Sequence, residues 1–154
     1  MSTKRKIITA ISWTLVAVCM GIIFYLSHQP ATESAELSIT VMGWVGKIFA
    51  SLVEVLGHDH FRSLAHALEY CGLGLLLFNA LYHTFNKPLT VISFAAAVFY
   101  AATDEIHQIF IEGRAFQLSD IAVDAAGAFA GVIASYVIYT VINKIINHRR
   151  GKKN

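Results

Sequence analysis

Hydrophobic positions along the chain fall into four long stretches, and the polar positions collect at their ends. Residues 7–26, "IITAISWTLVAVCMGIIFYL", form a run of about 20 residues without a charge, enough to cross a bilayer core of roughly 30 Å at about 1.5 Å per helical residue. Residues 64–82 form a second stretch, with His66, Glu69 and Tyr70 in its first turns. Residues 89–111 form a third, polar only near its end, and residues 118–142 a fourth, polar only near its start. The pattern predicts an all-α membrane protein, a four-helix transmembrane bundle forming a single domain. A cleaved signal peptide also starts basic, but its apolar core runs to about 7–15 residues before small residues at the cut. The first stretch is longer and has no convincing cleavage site, which favours a retained helix.

The long connection between the first two stretches has a pattern of its own. Within residues 41–57, Val41, Trp44, Val45, Ile48, Leu52, Val55 and Leu56 recur mostly at spacings of three and four. Such a stripe suits an amphipathic helix lying on the membrane surface, and equally one packed against the bundle.

Composition supports the membrane assignment. Of the 154 residues 56% are hydrophobic and 14% charged, against about a quarter charged in soluble domains. Cys19 and Cys71 lie inside apolar stretches, which argues against a disulfide framework.

Charge sets an orientation. With four crossings, Lys4, Arg5, Lys6, Lys87, Lys144, Arg149, Arg150, Lys152 and Lys153 fall on one side, and Lys47, Arg62 and Arg114 on the other. The positive-inside tendency makes the first side cytoplasmic, with both termini there, in a multi-pass protein of the cell membrane. The tail "HRRGKKN" reads as a topology anchor touching anionic lipid. It brings no nucleic-acid-binding fold with it.

Four separate stretches then deliver polar groups to one membrane depth. Ser27 and Gln29 end the first; Arg62, His66 and Tyr70 open the second; Asp104, Glu105 and Gln108 end the third. Arg114 lies in the last connection, and Asp120 and Asp124 open the fourth. Arg62, His66, Glu69 and Tyr70 share one helix face, as do Asp104 and Gln108, and as do Asp120, Asp124, Gly127 and Gly131. Ionisable groups at membrane depth should face a wet cavity or one another rather than lipid. If these faces meet, they enclose an outward-facing polar pocket.

Each group carries a functional and a structural reading. Asp104 and Glu105 suit a general base or hard oxygen ligands for Mg²⁺ or a similar divalent cation, or a solvated helix end paired with Arg62 or Arg114. His66 suits a proton shuttle or metal ligand, or a histidine bonded to its own helix. Arg62 and Arg114 offer planar forks for phosphate or carboxylate, or balance the acids. Ser27 and Gln29 line a pocket, or close the helix before Pro30. Tyr70 lines the pocket, or is an interfacial or core tyrosine. His28, His58, His60 and His107 look like loop or solvated residues, and Gly127 and Gly131 like packing residues, a GxxxG step that lets backbones approach.

These segments resemble the VanZ-like family of integral membrane proteins over nearly the whole chain. The family's first helix ends Ser-x-Gln-Pro followed by serines; here it is "FYLSHQPATESAELS", with His28 where serine is common. Its second helix opens Arg-Lys-x-x-His-x-x-Glu-Tyr; here "RSLAHALEY" has Ser63 in the lysine slot. Its third ends Asp-Glu-x-x-Gln before Gly-Arg, matched by "DEIHQIFIEGR" with Glu112 in place of the usual proline. Asp120, Asp124, Gly127 and Gly131 fit the remaining steps. The family's founding member is associated with low-level resistance to teicoplanin, a glycopeptide that acts on wall precursors outside the membrane. The resemblance therefore implies an envelope protein linked to glycopeptide resistance, and it implies no enzyme class.

Three functions are compatible with this reading. One is a site that binds membrane lipids, in particular a phosphate-bearing, lipid-linked wall precursor. Another is a membrane enzyme hydrolysing or transferring a lipid-linked phosphate, with Asp104, Glu105, His66 and Asp120 as its catalytic groups. The third is a transporter subunit, disfavoured because the cytoplasmic halves of all four stretches lack charge.

Overall fold

The computed structural model describes the backbone of residues 2–30, 32–33, 36, 40 and 50–151, and side chains at those positions outside 50–62 and 150–151. Among the described residues four long helices follow one another: α1 (Thr3–Ser27), α2 (Ala50–Phe85), α3 (Thr90–Gln108) and α4 (Leu118–Gly151). The described residues contain no strand. In α1, α2 and α4 there is enough length and apolarity to cross a membrane. The remaining helix, α3, has 19 residues, about 28 Å at 1.5 Å per residue. Short connections on both sides lay it antiparallel to α2 and α4, and it packs against both.

Two boundaries differ from the sequence reading. The second apolar stretch is part of one 36-residue helix that begins at Ala50. Most of the expected surface helix, residues 41–49, lies outside the described residues, and residues 50–57 continue directly into α2. At the other end, α4 runs on to Gly151, because nothing in "NKIINHRR" breaks a helix.

Hydroxyl placement shows how α1 tolerates lipid. Ser12 Oγ donates to the Ile8 carbonyl at 2.9 Å and Thr14 Oγ1 to the Ala10 carbonyl at 3.0 Å. Each hydroxyl is thus satisfied within its own helix, as a medium without water requires. The buried positions of α1 are Ser12, Val16, Ile23 and Ser27, one stripe at helical spacing, and the rest of the helix is largely exposed.

Close backbone contact joins α2 to α4, the most extensive helix pair. A Cβ at Gly127 would strike the Ala67 carbonyl, and one at Gly131 the Cys71 carbonyl. Gly74 of α2 returns the contact, lying against the Ala128 carbonyl. Lipid tails are as apolar as side chains, so association in a membrane rests on such close packing.

The far end of the bundle, where the basic residues lie, is tied by α1. Arg5 Nε donates to the His83 carbonyl at 3.0 Å and Nη2 to the Thr84 carbonyl at 3.3 Å. Thr9 Oγ1 donates to the same His83 carbonyl at 3.1 Å, and Trp13 Nε1 to Thr84 Oγ1 at 3.0 Å. The Arg5 and Thr9 donors satisfy carbonyls that the end of a helix leaves without partners. Asn86, at φ 58°, then turns the chain out of α2 in the left-handed region, which asparagine tolerates better than most residues. Pro88 follows.

Candidate functional site

The buried stripe of α3 changes character along its length. Ser93, Ala97 and Ala101 are small and allow close packing; Asp104, Glu105 and Gln108 continue the stripe as polar groups, all buried. Their end of α3 meets the end of α1 and the beginning of α4. Ser27 Oγ donates to Asp104 Oδ2 at 2.7 Å, joining α1 to α3. Deeper down, Tyr100 OH donates to the Met20 carbonyl at 2.7 Å and fastens the same pair.

The polar residues form two tiers, because each helix supplies them one turn apart. The upper tier lines a cavity of about 190 Å³ walled by His66, Gln108, Gly113, Arg114, Ala115, Gln117 and Asp120. A narrow cleft continues between Ser63, His66, Asp120 and Val123. One helical turn deeper lie Glu69 and Tyr70 on α2, Asp104 on α3 and Asp124 on α4. Tyr70 is 0% exposed, Asp124 3% and Asp104 4%. Glu69 Oε2, Tyr70 OH, Asp104 Oδ1 and Asp124 Oδ1 are buried without a hydrogen-bond partner. The carboxylates of Glu69, Asp104 and Asp124 lie within electrostatic reach of one another and of the Tyr70 hydroxyl.

Of the residues singled out from sequence, His66, Gln108, Arg114 and Asp120 meet in the upper tier, and Ser27, Tyr70, Asp104 and Asp124 in the lower. Two take other positions. The Gln29 amide turns back to the Tyr25 carbonyl at 3.4 Å instead of lining the cavity. Its main-chain carbonyl is what serves the site, accepting from Arg114 Nε at 3.0 Å and so orienting the guanidinium. Glu105 Oε1 accepts from the Gln117 N–H at 2.6 Å, closing the connection whose turn Gly113 makes at φ 74°. The side chain of Arg62 lies outside the described residues, as do those of His58 and His60.

Sequence reasoning passed over two features. Glu69 shares a face with His66; its side chain is partly buried, with Oε2 buried and without a hydrogen-bond partner. His28 and His107, expected to be loop or solvated residues, also form an exposed pair. Nδ1 of one lies 3.1 Å from Nε2 of the other, and both rings stack with Phe24. No spacing rule reaches that pairing, since 79 residues separate its members.

Among the described residues, no three His, Cys, Asp or Glu side chains stand close enough to hold a metal ion directly. A wider groove of about 520 Å³ between α2 and α4 lies toward the basic end, lined mainly by Leu75, Leu76, Phe78, Ile138 and Ile142. Its lining includes Asn79, Tyr82, Ser135, Tyr139 and Asn143 but no acidic or basic side chain, so the smaller polar cavity is the candidate site.

No curated protein and no solved structure matches the chain. A family model described as VanZ/LLP1 matches residues 12–142. That span contains α3, both tiers of polar residues and the glycine contacts between α2 and α4. The chain belongs to the VanZ/LLP1 family.

Proposed function

We propose that this protein is an envelope membrane protein whose polar cavity binds the phosphate-bearing head group of a lipid, such as a lipid-linked wall precursor. The observation that carries the reading is the cavity walled by Arg114, His66, Gln108 and Asp120 at one end of an apolar bundle. A head group lying in the interfacial region could enter it while its tails stay in hydrocarbon. The guanidinium of Arg114, oriented by the Gln29 carbonyl, offers the planar donor geometry that suits phosphate.

Orientation belongs to the same proposal. Lys4, Arg5, Lys6, Lys87, Lys144 and Arg149 lie at the end opposite the cavity. The positive-inside tendency then turns the cavity away from the cytosol and leaves both termini within it. A head group held on that side is where glycopeptides meet their target, which would connect the site to the family's association with teicoplanin resistance.

Turnover is a second reading, supported by Asp104. Its Oδ1 is buried and unpartnered while Oδ2 is fixed by Ser27. A carboxylate held in this way beside a phosphate site has the placement of a general base, with His66 and Asp120 on the cavity wall to move a proton.

The test compares a phosphate-bearing polyprenyl lipid with its dephosphorylated alcohol for binding to the purified protein. Preference for the phosphate, lost in Arg114→Ala, supports the first reading. Equal binding of the two lipids would sink it. Release of inorganic phosphate, abolished in Asp104→Asn, would establish the second.

A further inference from the structure

The glycine contacts between α2 and α4 reach only partway along the pair, to Gly74 and Gly131. Beyond them, toward the basic end, the two helices meet through rings. Phe78 and Tyr139 lie edge to face with centroids 6.4 Å apart, and Tyr82 and Tyr139 likewise at 4.9 Å. Ring contacts set helix axes further apart than backbone contacts do. Along this stretch the groove of about 520 Å³ opens between the helices, within the range of about 300–1,000 Å³ that ligand sites occupy.

The lining changes along the groove. Leu75 and Ile138 are hydrocarbon, whereas Asn79, Tyr82 and Asn143, nearer the basic end, bring amide and hydroxyl groups. Tyrosine suits the level where hydrocarbon gives way to head groups, because its ring is apolar and its hydroxyl polar. Arg149 continues the same face: Ile142, Ile146 and Arg149 are four and three residues apart. It is exposed, and a helical side chain leans back over the turn before it, which here is the mouth of the groove. Past Glu69 in α2 and Asp124 in α4 neither helix carries an acidic residue, so the charge at this end of the pair is positive.

We propose that the groove binds an anionic glycerophospholipid from the leaflet at the basic end. An acyl chain lies against Leu75, Ile138 and Ile142, the ester region meets Asn79 and Tyr82, and the phosphate meets Arg149. Hydrocarbon, then neutral hydrogen-bonding groups, then a cation is the order of parts that such a lipid requires. Basic pockets between transmembrane helices take anionic head groups in the same way. A second copy of the chain, docked on this face in the same orientation, would set cation against cation, which is unfavourable. The groove lies away from the polar cavity, and its occupant does not rest on the lipid-phosphate reading of that cavity.

The test is native mass spectrometry of the purified full-length protein, delipidated in detergent and titrated with phosphatidylglycerol or with phosphatidylcholine of the same acyl chains. The expected result is one firmly held phosphatidylglycerol per chain, preferred over phosphatidylcholine about fivefold, the effect of one basic residue at a membrane surface. Arg149→Ala should erase that preference. Ser135→Phe and Ile138→Trp add a ring to the groove without changing charge, and should weaken both lipids by about tenfold or more. Equal binding of the two lipids by the wild type overturns the proposal, and this result does not depend on whether any variant folds. Preference retained in Arg149→Ala overturns it as well. Binding unaltered in both folded groove variants does the same, because the lipid would then sit at the polar cavity or on the basic tail. A dimer that takes up neither lipid gives the groove to a second copy and also overturns it.

Discussion

Ser27 Oγ lies 2.7 Å from Asp104 Oδ2, and this one hydrogen bond joins the last turn of α1 to the acidic end of α3. Both residues are buried, at 1% and 4% exposure, so water does not substitute for either partner. The bond therefore holds a helix in place and also fixes which carboxylate oxygen is turned toward the lower tier.

Ser27→Ala should cost about 1.5–3 kcal/mol of stability, the range for a hydrogen bond to a charged group. Removing the hydroxyl takes the short hydrogen bond from Asp104 Oδ2, while Oδ1 is already without a partner. Unfolding of the purified protein in detergent measures the loss. Stability equal to wild type would mean that the bond contributes nothing.

The glycines of α4 permit a comparison within one protein. Gly131→Ala drives a Cβ into the Cys71 carbonyl, and Gly127→Ala one into the Ala67 carbonyl. Because the obstacle is backbone, the helices must move apart, at a cost of about 1–3 kcal/mol for overpacking. Gly21 and Gly72 have nothing within 4 Å of an added Cβ. Alanine there should be neutral, or stabilising by up to about 1 kcal/mol through helix propensity. Four single variants on one denaturation scale decide it, and the idea fails if the two pairs behave alike.

Those glycines also mark the limit of what the sequence makes legible. Their spacing from Asp120 and Asp124 places all four on one face, because a helix has a fixed period. Their partners, the carbonyls of Ala67 and Cys71, follow from no pattern, since a backbone oxygen carries no side-chain signature. The same holds at Gln29, where the residue type suggests a lining side chain and the atom that reaches Arg114 is the carbonyl. The His28–His107 pair depends on the relative rotation of two helices, which periodicity within either one does not fix. The helices end close to the apolar stretches where a breaker stands, at Pro30 and Pro88, and run beyond them where none does, at the start of α2 and the end of α4.

Arg114 should separate charge from geometry. Arg114→Ala is expected to lower affinity for a phosphate-bearing lipid by about tenfold to a hundredfold, the equivalent of about 1.5–3 kcal/mol. Arg114→Lys keeps the charge but loses the planar fork and the Nε bond to the Gln29 carbonyl. It should recover only part of the loss. Binding curves for the three proteins against one phosphate lipid are the check, and full recovery by lysine would show that the fork is irrelevant.

Which way the cavity faces can be read in intact cells by labelling introduced cysteines with a thiol reagent that does not cross membranes. Glu112, in the connection between α3 and α4, is exposed, as is Lys144 near the basic end of α4. The two native thiols, Cys19 and Cys71, lie within helices long and apolar enough to cross a membrane and are only partly exposed, so replacing both with alanine gives a silent background. In that background Glu112→Cys should label before lysis and Lys144→Cys only after it. The expected asymmetry rests on the positive-inside tendency, by which the basic residues would keep their end of the bundle on the cytosolic side. Labelling in the reverse order would put the acidic lower tier and Arg114 on the cytosolic side, out of reach of any wall precursor displayed outside. The lipid-phosphate reading would then need a ligand of the inner leaflet, and the connection to glycopeptide resistance would lose its physical basis.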